Sequence, residues 1–152
     1  MPHSIDQPPH PDGPGVYVHV HVPGAGAAWS NDPGLAWEAL SELELLLTTM
    51  VEDLGGEMLE DHGDKYRIRF PSAAAAVMWS ARMQEGLLTL DWPASLSQPS
   101  SAPRNQEVLY TGLLASMAIH NGSPRILAAL SALTQPGQVL ISSDCWNTVT
   151  DP

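Results

Sequence analysis

The sequence predicts an α+β fold: a ferredoxin-like βαββαβ sandwich, with a further helix, strand and helix added at its C-terminal end. Three observations carry this. Val16 to Val22 alternates strictly, as a strand does. A long helical stripe is followed by a tight hairpin and then a second helix. The period switches between the two patterns in the order β-α-β-β-α-β-α-β, which opens with the βαββαβ unit. That unit stacks its helices on one face of an antiparallel sheet. The other face needs cover from added elements or from a partner.

Met1 to Gly15 holds five prolines and no apolar pattern, and is expected to be a disordered or draped tail. The domain proper is expected to run from Val16 to Pro152. In Val16 to Val22 the valines share one face, and Tyr17, His19 and His21 share the other. Pro23 to Ala28 reads as a Gly/Ala loop. Asp32 caps a helix with Pro33 at its first position. Leu35, Ala39, Leu40, Leu43, Leu46, Leu47, Met50, Val51 and Leu54 then form one apolar stripe, which Gly55-Gly56 ends.

Glu57 to Glu60 and Lys65 to Phe70 form the hairpin, turning on Gly63-Asp64. Tyr66, Ile68 and Phe70 alternate with Lys65, Arg67 and Arg69. Pro71-Ser72 opens a helix to about Leu90, with Val77, Ala81, Leu87 and Leu88 expected inward. Asp91 to Glu107 is a polar stretch rich in Pro, Ser and Gln, expected to be a long surface loop. Leu113 to His120 is a strand, Arg125 to Leu133 a short helix, Gln138 to Ser142 a strand, and Asp144 to Val149 a last helical turn.

The totals exclude several functions. The 152 residues suffice for one domain with a real core, and 43% of them are hydrophobic. The net charge is −11, with only 6 Lys plus Arg. This disfavours nucleic acid and anionic membranes, whose phosphates need cations. It also disfavours tight triphosphate binding unless metal ions supply positive charge. One cysteine, Cys145, rules out an internal disulfide and suits a reducing compartment. No stretch reaches the length of a membrane span and no apolar leader opens the chain, so a soluble, cytoplasmic protein without membrane insertion is expected.

The order and spacing of several short motifs resemble the class III adenylate and guanylate cyclase catalytic domain, in its fungal and protozoan flavour. They are Gly55-Gly56 to Phe70 with Gly63-Asp64 at its centre, Pro71-Ser72-Ala73-Ala74-Ala75-Ala76, Met83-Gln84 and Asp91-Trp92-Pro93. Further along come Tyr110-Thr111-Gly112-Leu113, Met117-Ala118-Ile119-His120-Asn121-Gly122 and Pro136-Gly137-Gln138-Val139-Leu140-Ile141-Ser142. The resemblance covers roughly Val16 to Val149.

The resemblance implies chemistry in which two aspartates hold two metal ions, Mg²⁺ or Mn²⁺, that activate a ribose hydroxyl and bind the triphosphate. A lysine and an aspartate read the purine, an asparagine orients the ribose, and an arginine stabilises developing charge. Carried onto this chain, the second metal aspartate is kept as Asp64. The first falls on His21, in a register anchored by Trp29. The purine-reading lysine falls on Glu60, a reversal of charge. The segment that would hold the second purine reader is missing before Pro136. Counting back from Gln138 places the ribose asparagine on Arg125 and the charge-stabilising arginine on Ala129. The family's final strand pair, with its triphosphate-binding lysine, would come after Val149, outside this sequence, which is either a piece of a longer protein or a domain without that pair.

Class III sites form between two domains, and this chain lacks residues from both sets. The resemblance therefore implies a catalytically inactive cyclase-like domain that retains no cofactor and acts as a dimerisation or docking module. Its partner would be another cyclase-like domain or a larger assembly. The alternatives are an adenylate or guanylate cyclase or its regulatory half, and a nucleotide- or metal-sensing domain without turnover.

Simpler roles stand beside these. Asp64 suits a hairpin turn whatever its function, and one carboxylate makes a poor Mg²⁺ site. His21 and His19, with Asp64 or His62, have the donor types for Zn²⁺, but such histidines are more often packed face residues. His120 reads as structural. Cys145 has no motif of a nucleophile around it. Trp29, Trp37, Trp79, Trp92 and Trp146 are too scattered for a stacking platform and read as core or interface. Glu52-Asp53, Glu57 and Glu60-Asp61 read as solvated acidic surface rather than a Ca²⁺ loop.

Overall fold

A computed structural model describes residues 13–92 and 113–150. Most of the expected N-terminal tail and of the 91–107 loop lies outside these residues. The element order is β1 (Val16–His21), α1 (Ala25–Asn31), α2 (Pro33–Asp53), β2 (Glu57–Asp61), β3 (Lys65–Phe70), α3 (Ala73–Thr89), β4 (Ser116–His120), α4 (Pro124–Leu133), β5 (Val139–Ile141) and α5 (Ser143–Thr150). The sheet order is β2-β3-β1-β4-β5. The first four strands pair antiparallel, and β5 joins β4 in parallel. This is the expected βαββαβ unit with an added αβα.

One sheet face carries the main core. Val16, Val18 and Val20 of β1, Ile68 and Phe70 of β3 and Met117 and Ile119 of β4 meet Leu43, Leu47 and Val51 of α2 and Trp79, Met83 and Leu87 of α3. Phe70 and Trp79 pack ring to ring, with centroids 5.5 Å apart. α2 starts as expected: the Asp32 side chain accepts from the Leu35 amide at 3.1 Å, and Pro33 follows it. It ends at Gly55, whose φ of +73° favours glycine. Gly56 presses so closely on the Phe70 ring that a Cβ would sit 2.7 Å from it.

Three expectations change. Residues 25–31 form a helix where a loop was expected. Alanine is the best helix former, Ala25 and Ala28 face the core, and the Ala25 amide donates to the Val22 carbonyl at 3.1 Å. Gly26 and the short span hide this periodicity in the sequence. The buried face of α3 is Ala73, Ala76, Ser80, Met83 and Leu87, with Trp79 beside it. Val77 is half-buried, and Ala81 and Leu88 are exposed, so the expected face lay about one residue around the helix. β4 starts at Ser116 rather than Leu113. The Ala115 carbonyl is taken by Gln84 Nε2 at 2.9 Å and by the Gly137 amide at 3.0 Å.

Candidate functional site

The second face of the sheet carries the residues singled out in the sequence. Register fixes them. Tyr17, His19 and His21 of β1 lie opposite Arg69, Arg67 and Lys65 of β3. On the other flank of β1 the same residues face His120, Ala118 and Ser116 of β4. α4 crosses the β4 side, where Leu127 packs on Tyr17 and Ala118 with Leu130 and Leu59 at the margin. This helix supplies part of the cover that the sequence demanded.

Beside α4 the face stays open. A cleft of about 520 Å³ lies there, lined by His19, His21, Glu60, His62, Lys65, Arg67 and the small residues Ala128, Ser131 and Ala132 of α4. A bulge in β2 between Met58 and Glu60 shapes it. Strict alternation would turn Glu60 to the core side with Met58. The extra residue returns Glu60 to the cleft side opposite Arg67. There Glu60 pairs with Arg67 at 2.9 Å and lies 3.6 Å from His62 Nε2. One step along the hairpin, Glu57 pairs with Arg69.

The turn is tied down by its own chemistry. The Gly63 amide donates to Asp61 Oδ1 at 3.0 Å, and Gly63 has φ of +81°. The His62 amide donates to the Lys65 carbonyl, and the Val22 amide to the Asp64 carbonyl at 2.8 Å. Asp64 therefore joins the turn to the end of β1 through its backbone. Its side chain is not among the residues lining the cleft.

Asp61 faces the core side, where it shares a hydrogen bond with Glu44 of α2. That bond and the like charge of Asp61 raise the Glu44 carboxyl above its ordinary value. The Tyr66 hydroxyl donates to the Gly63 carbonyl at 3.1 Å. Burial first, and then the charges of Asp61, Glu44 and Asp64, raise Tyr66 well above the usual phenol range. The Glu44–Asp61 contact joins residues far apart in sequence, so only the fold reveals it.

The remaining sequence candidates fall as follows. Arg125 and Ala129 are exposed, one turn apart on α4, and neither lines the cleft. His120 is buried, with Nδ1 2.7 Å from Ser142 Oγ, and burial lowers its pKa below the ordinary value. Cys145 is fully buried, and burial pushes its thiol up to about 11, which removes nucleophilic character near neutral pH. Trp79 and Trp92 are core, whereas Trp29, Trp37 and Trp146 are exposed. No helix among the described residues is long and apolar enough to cross a membrane.

The class III resemblance implies two metal ions in this cleft. Mg²⁺ and Mn²⁺ prefer carboxylate and other hard oxygen ligands. The cleft offers imidazoles at His19, His21 and His62, and its one carboxylate, Glu60, is engaged by Arg67. Among the described residues, no three His, Cys, Asp or Glu side chains come together to hold a metal ion. The residues present do not fit a two-metal centre. Nor, among the described residues, do His19, His21 and His62 come together as a Zn²⁺ set, the less favoured of the two readings of these histidines.

Comparison with known proteins gives a consistent picture. No family model matches the chain. It is 26% identical over 158 residues to an adenylate cyclase of Podospora anserina, covering 90% of this chain and 7% of that protein. An adenylate cyclase of Neurospora crassa is 27% identical, again over 90% of this chain and 7% of its own length. The chain thus spans less than a tenth of these fungal relatives. Among solved structures, an adenylate cyclase of Trypanosoma brucei in its monomeric state superposes with a TM-score of 0.78 at 18% identity, covering 91% of this chain and 76% of that one. A dimeric guanylyl cyclase domain of the aquatic fungus Blastocladiella emersonii superposes at 0.67 with 11% identity, covering 90% and 83%.

Proposed function

We propose that this chain, a cyclase-like domain with the class III adenylate and guanylate cyclase fold, is catalytically silent and serves as a protein-interaction module. One observation carries the reading. Where the family places a metal-binding aspartate and a purine-reading lysine, this cleft presents His21 and a Glu60–Arg67 ion pair. The imidazole cannot supply the hard anionic oxygen that Mg²⁺ needs. Glu60 reverses the charge of the purine-reading lysine and is already paired with its own neighbour, Arg67. Arg125 and Ala129 stand where the ribose-orienting and charge-stabilising groups are expected, and the second is an alanine. Losing one transition-state donor alone costs on the order of 10²–10³ in rate. Several such losses together with a metal ligand leave no useful catalysis.

What survives is the shape. The open cleft and the exposed side of α4, with Arg125, Ala129 and Leu133, present a surface that a second domain can cover. The partner proposed is another cyclase-like domain or a larger assembly. The test is an assay of purified protein with Mn²⁺ and ATP or GTP, run beside size measurement with and without an active cyclase domain. No cyclic nucleotide from the chain alone, together with a complex or a changed rate in the mixture, supports the reading. Turnover by the chain alone overturns it.

A further inference from the structure

The outward side of α2 carries an unusual combination. Trp37 is 66% exposed and Leu45 is 63% exposed, whereas the opposite side of the helix, Ala36, Ala39, Leu40, Leu43, Leu47 and Val51, is buried in the core. Trp37, Ser41 and Leu45 follow one another at four-residue spacing, so the two large side chains stand about 12 Å apart along the axis. On α1, joined to α2 only through Asp32, Trp29 is 41% exposed. Single exposed apolar residues are ordinary, but two tryptophans and a leucine on consecutive helices are not.

The charge along these two helices has one sign. Glu38 and Glu42 are exposed beside Trp37 and Leu45. From Ala25 to Asp53, the span of α1 and α2, the sequence has six Asp and Glu and no Lys, Arg or His.

We propose that this face of α2 docks a basic amphipathic segment of a partner protein. Charge selects the occupant. A second copy of the same face would set carboxylates against carboxylates, and an anionic membrane or a nucleic acid would be repelled likewise. A helix with apolar residues at three- and four-residue spacing, flanked by Lys or Arg, satisfies both features. Its apolar stripe covers Trp37 and Leu45, and its cations meet Glu38 and Glu42. Tryptophans at the centre of such a contact carry a large share of binding energy, and rim charges set its rate and salt dependence. The surface lies across the sheet from the cleft. The inference therefore goes beyond the reading above and stands whether or not the cleft turns a nucleotide over.

Calorimetric titration of the whole chain tests it with two synthetic peptides of leucine and lysine. One is patterned as an amphipathic helix, and the other has the same composition scrambled. The patterned peptide is expected to bind at least tenfold more tightly, and more weakly as salt rises. The pair Trp37→Ser with Leu45→Ser, and separately Glu38→Lys with Glu42→Lys, are each expected to weaken it at least tenfold. Glu85→Lys on α3 should leave binding unchanged. All five sites are exposed, and an unchanged melting curve confirms folding. Equal binding of both peptides, or double variants that bind like the parent, overturns the proposal. So does self-association of the free chain that the Trp37→Ser with Leu45→Ser pair abolishes. Cyclase assays of the same samples report on the cleft separately.

Discussion

The two faces of the sheet differ in what holds them together. The core face is valine, isoleucine, phenylalanine and methionine under α2 and α3, almost without polar atoms. The opposite face is divided. Its β4 side is sealed by α4 over Tyr17 and Ala118, and its β3 side is an open, charged cleft. Packing on the first face supplies most of the stability, and exposed charges on the second supply little. The chemistry of the cleft can therefore drift without unfolding the domain. A fold shared with cyclases at 18% identity or less is what such a division permits.

Substitutions on the two faces should separate in size. Trp79→Ala, on the core face, is expected to destabilise by about 3–5 kcal/mol in denaturant titration. A loss below about 1 kcal/mol would break the comparison. At the turn between the faces, Gly63→Ala is expected to cost about 1–2 kcal/mol, because φ there is +81° although nothing crowds the site.

The sealed half of the second face is sharpened by pH. His120 is harder to protonate in the folded state than in the unfolded one, because burial opposes its charge. The unfolded chain therefore binds more protons as pH falls through the ordinary imidazole value near 6.5. Stability is expected to drop below that pH, by at most about 1.4 kcal/mol per pH unit from this site. Melting curves from pH 7.5 to 5 should show the drop, and His120→Asn should flatten it. In the open half, Glu60→Gln removes an ion pair whose glutamate is 44% exposed, and is expected to cost less than about 1 kcal/mol.

Much of the fold was legible because the signals were long and redundant. β1 alternates over a whole strand, α2 repeats its stripe over five turns, and the glycine pair and Gly63 mark both ends of the hairpin. α1 was hidden because a seven-residue helix of alanine and glycine has little periodicity to read. The α3 face was misplaced because Ala73 and Ala76 look featureless in sequence, though they are the residues small enough to bring the helix onto the sheet. The cleft was half legible. The resemblance pointed to His21, Glu60 and Asp64, and the first two line the cleft whereas Asp64 does not. The bulge at Leu59 that aims Glu60 at Arg67, the α4 wall and the Glu44–Asp61 contact all depend on tertiary pairing, which no local pattern encodes.

The most direct measurement is cyclic nucleotide formation by the purified chain, with Mn²⁺ and ATP or GTP, beside an Asp64→Ala control. No product above the control is the expected result. Product that disappears with Asp64→Ala would contradict the loss of catalysis.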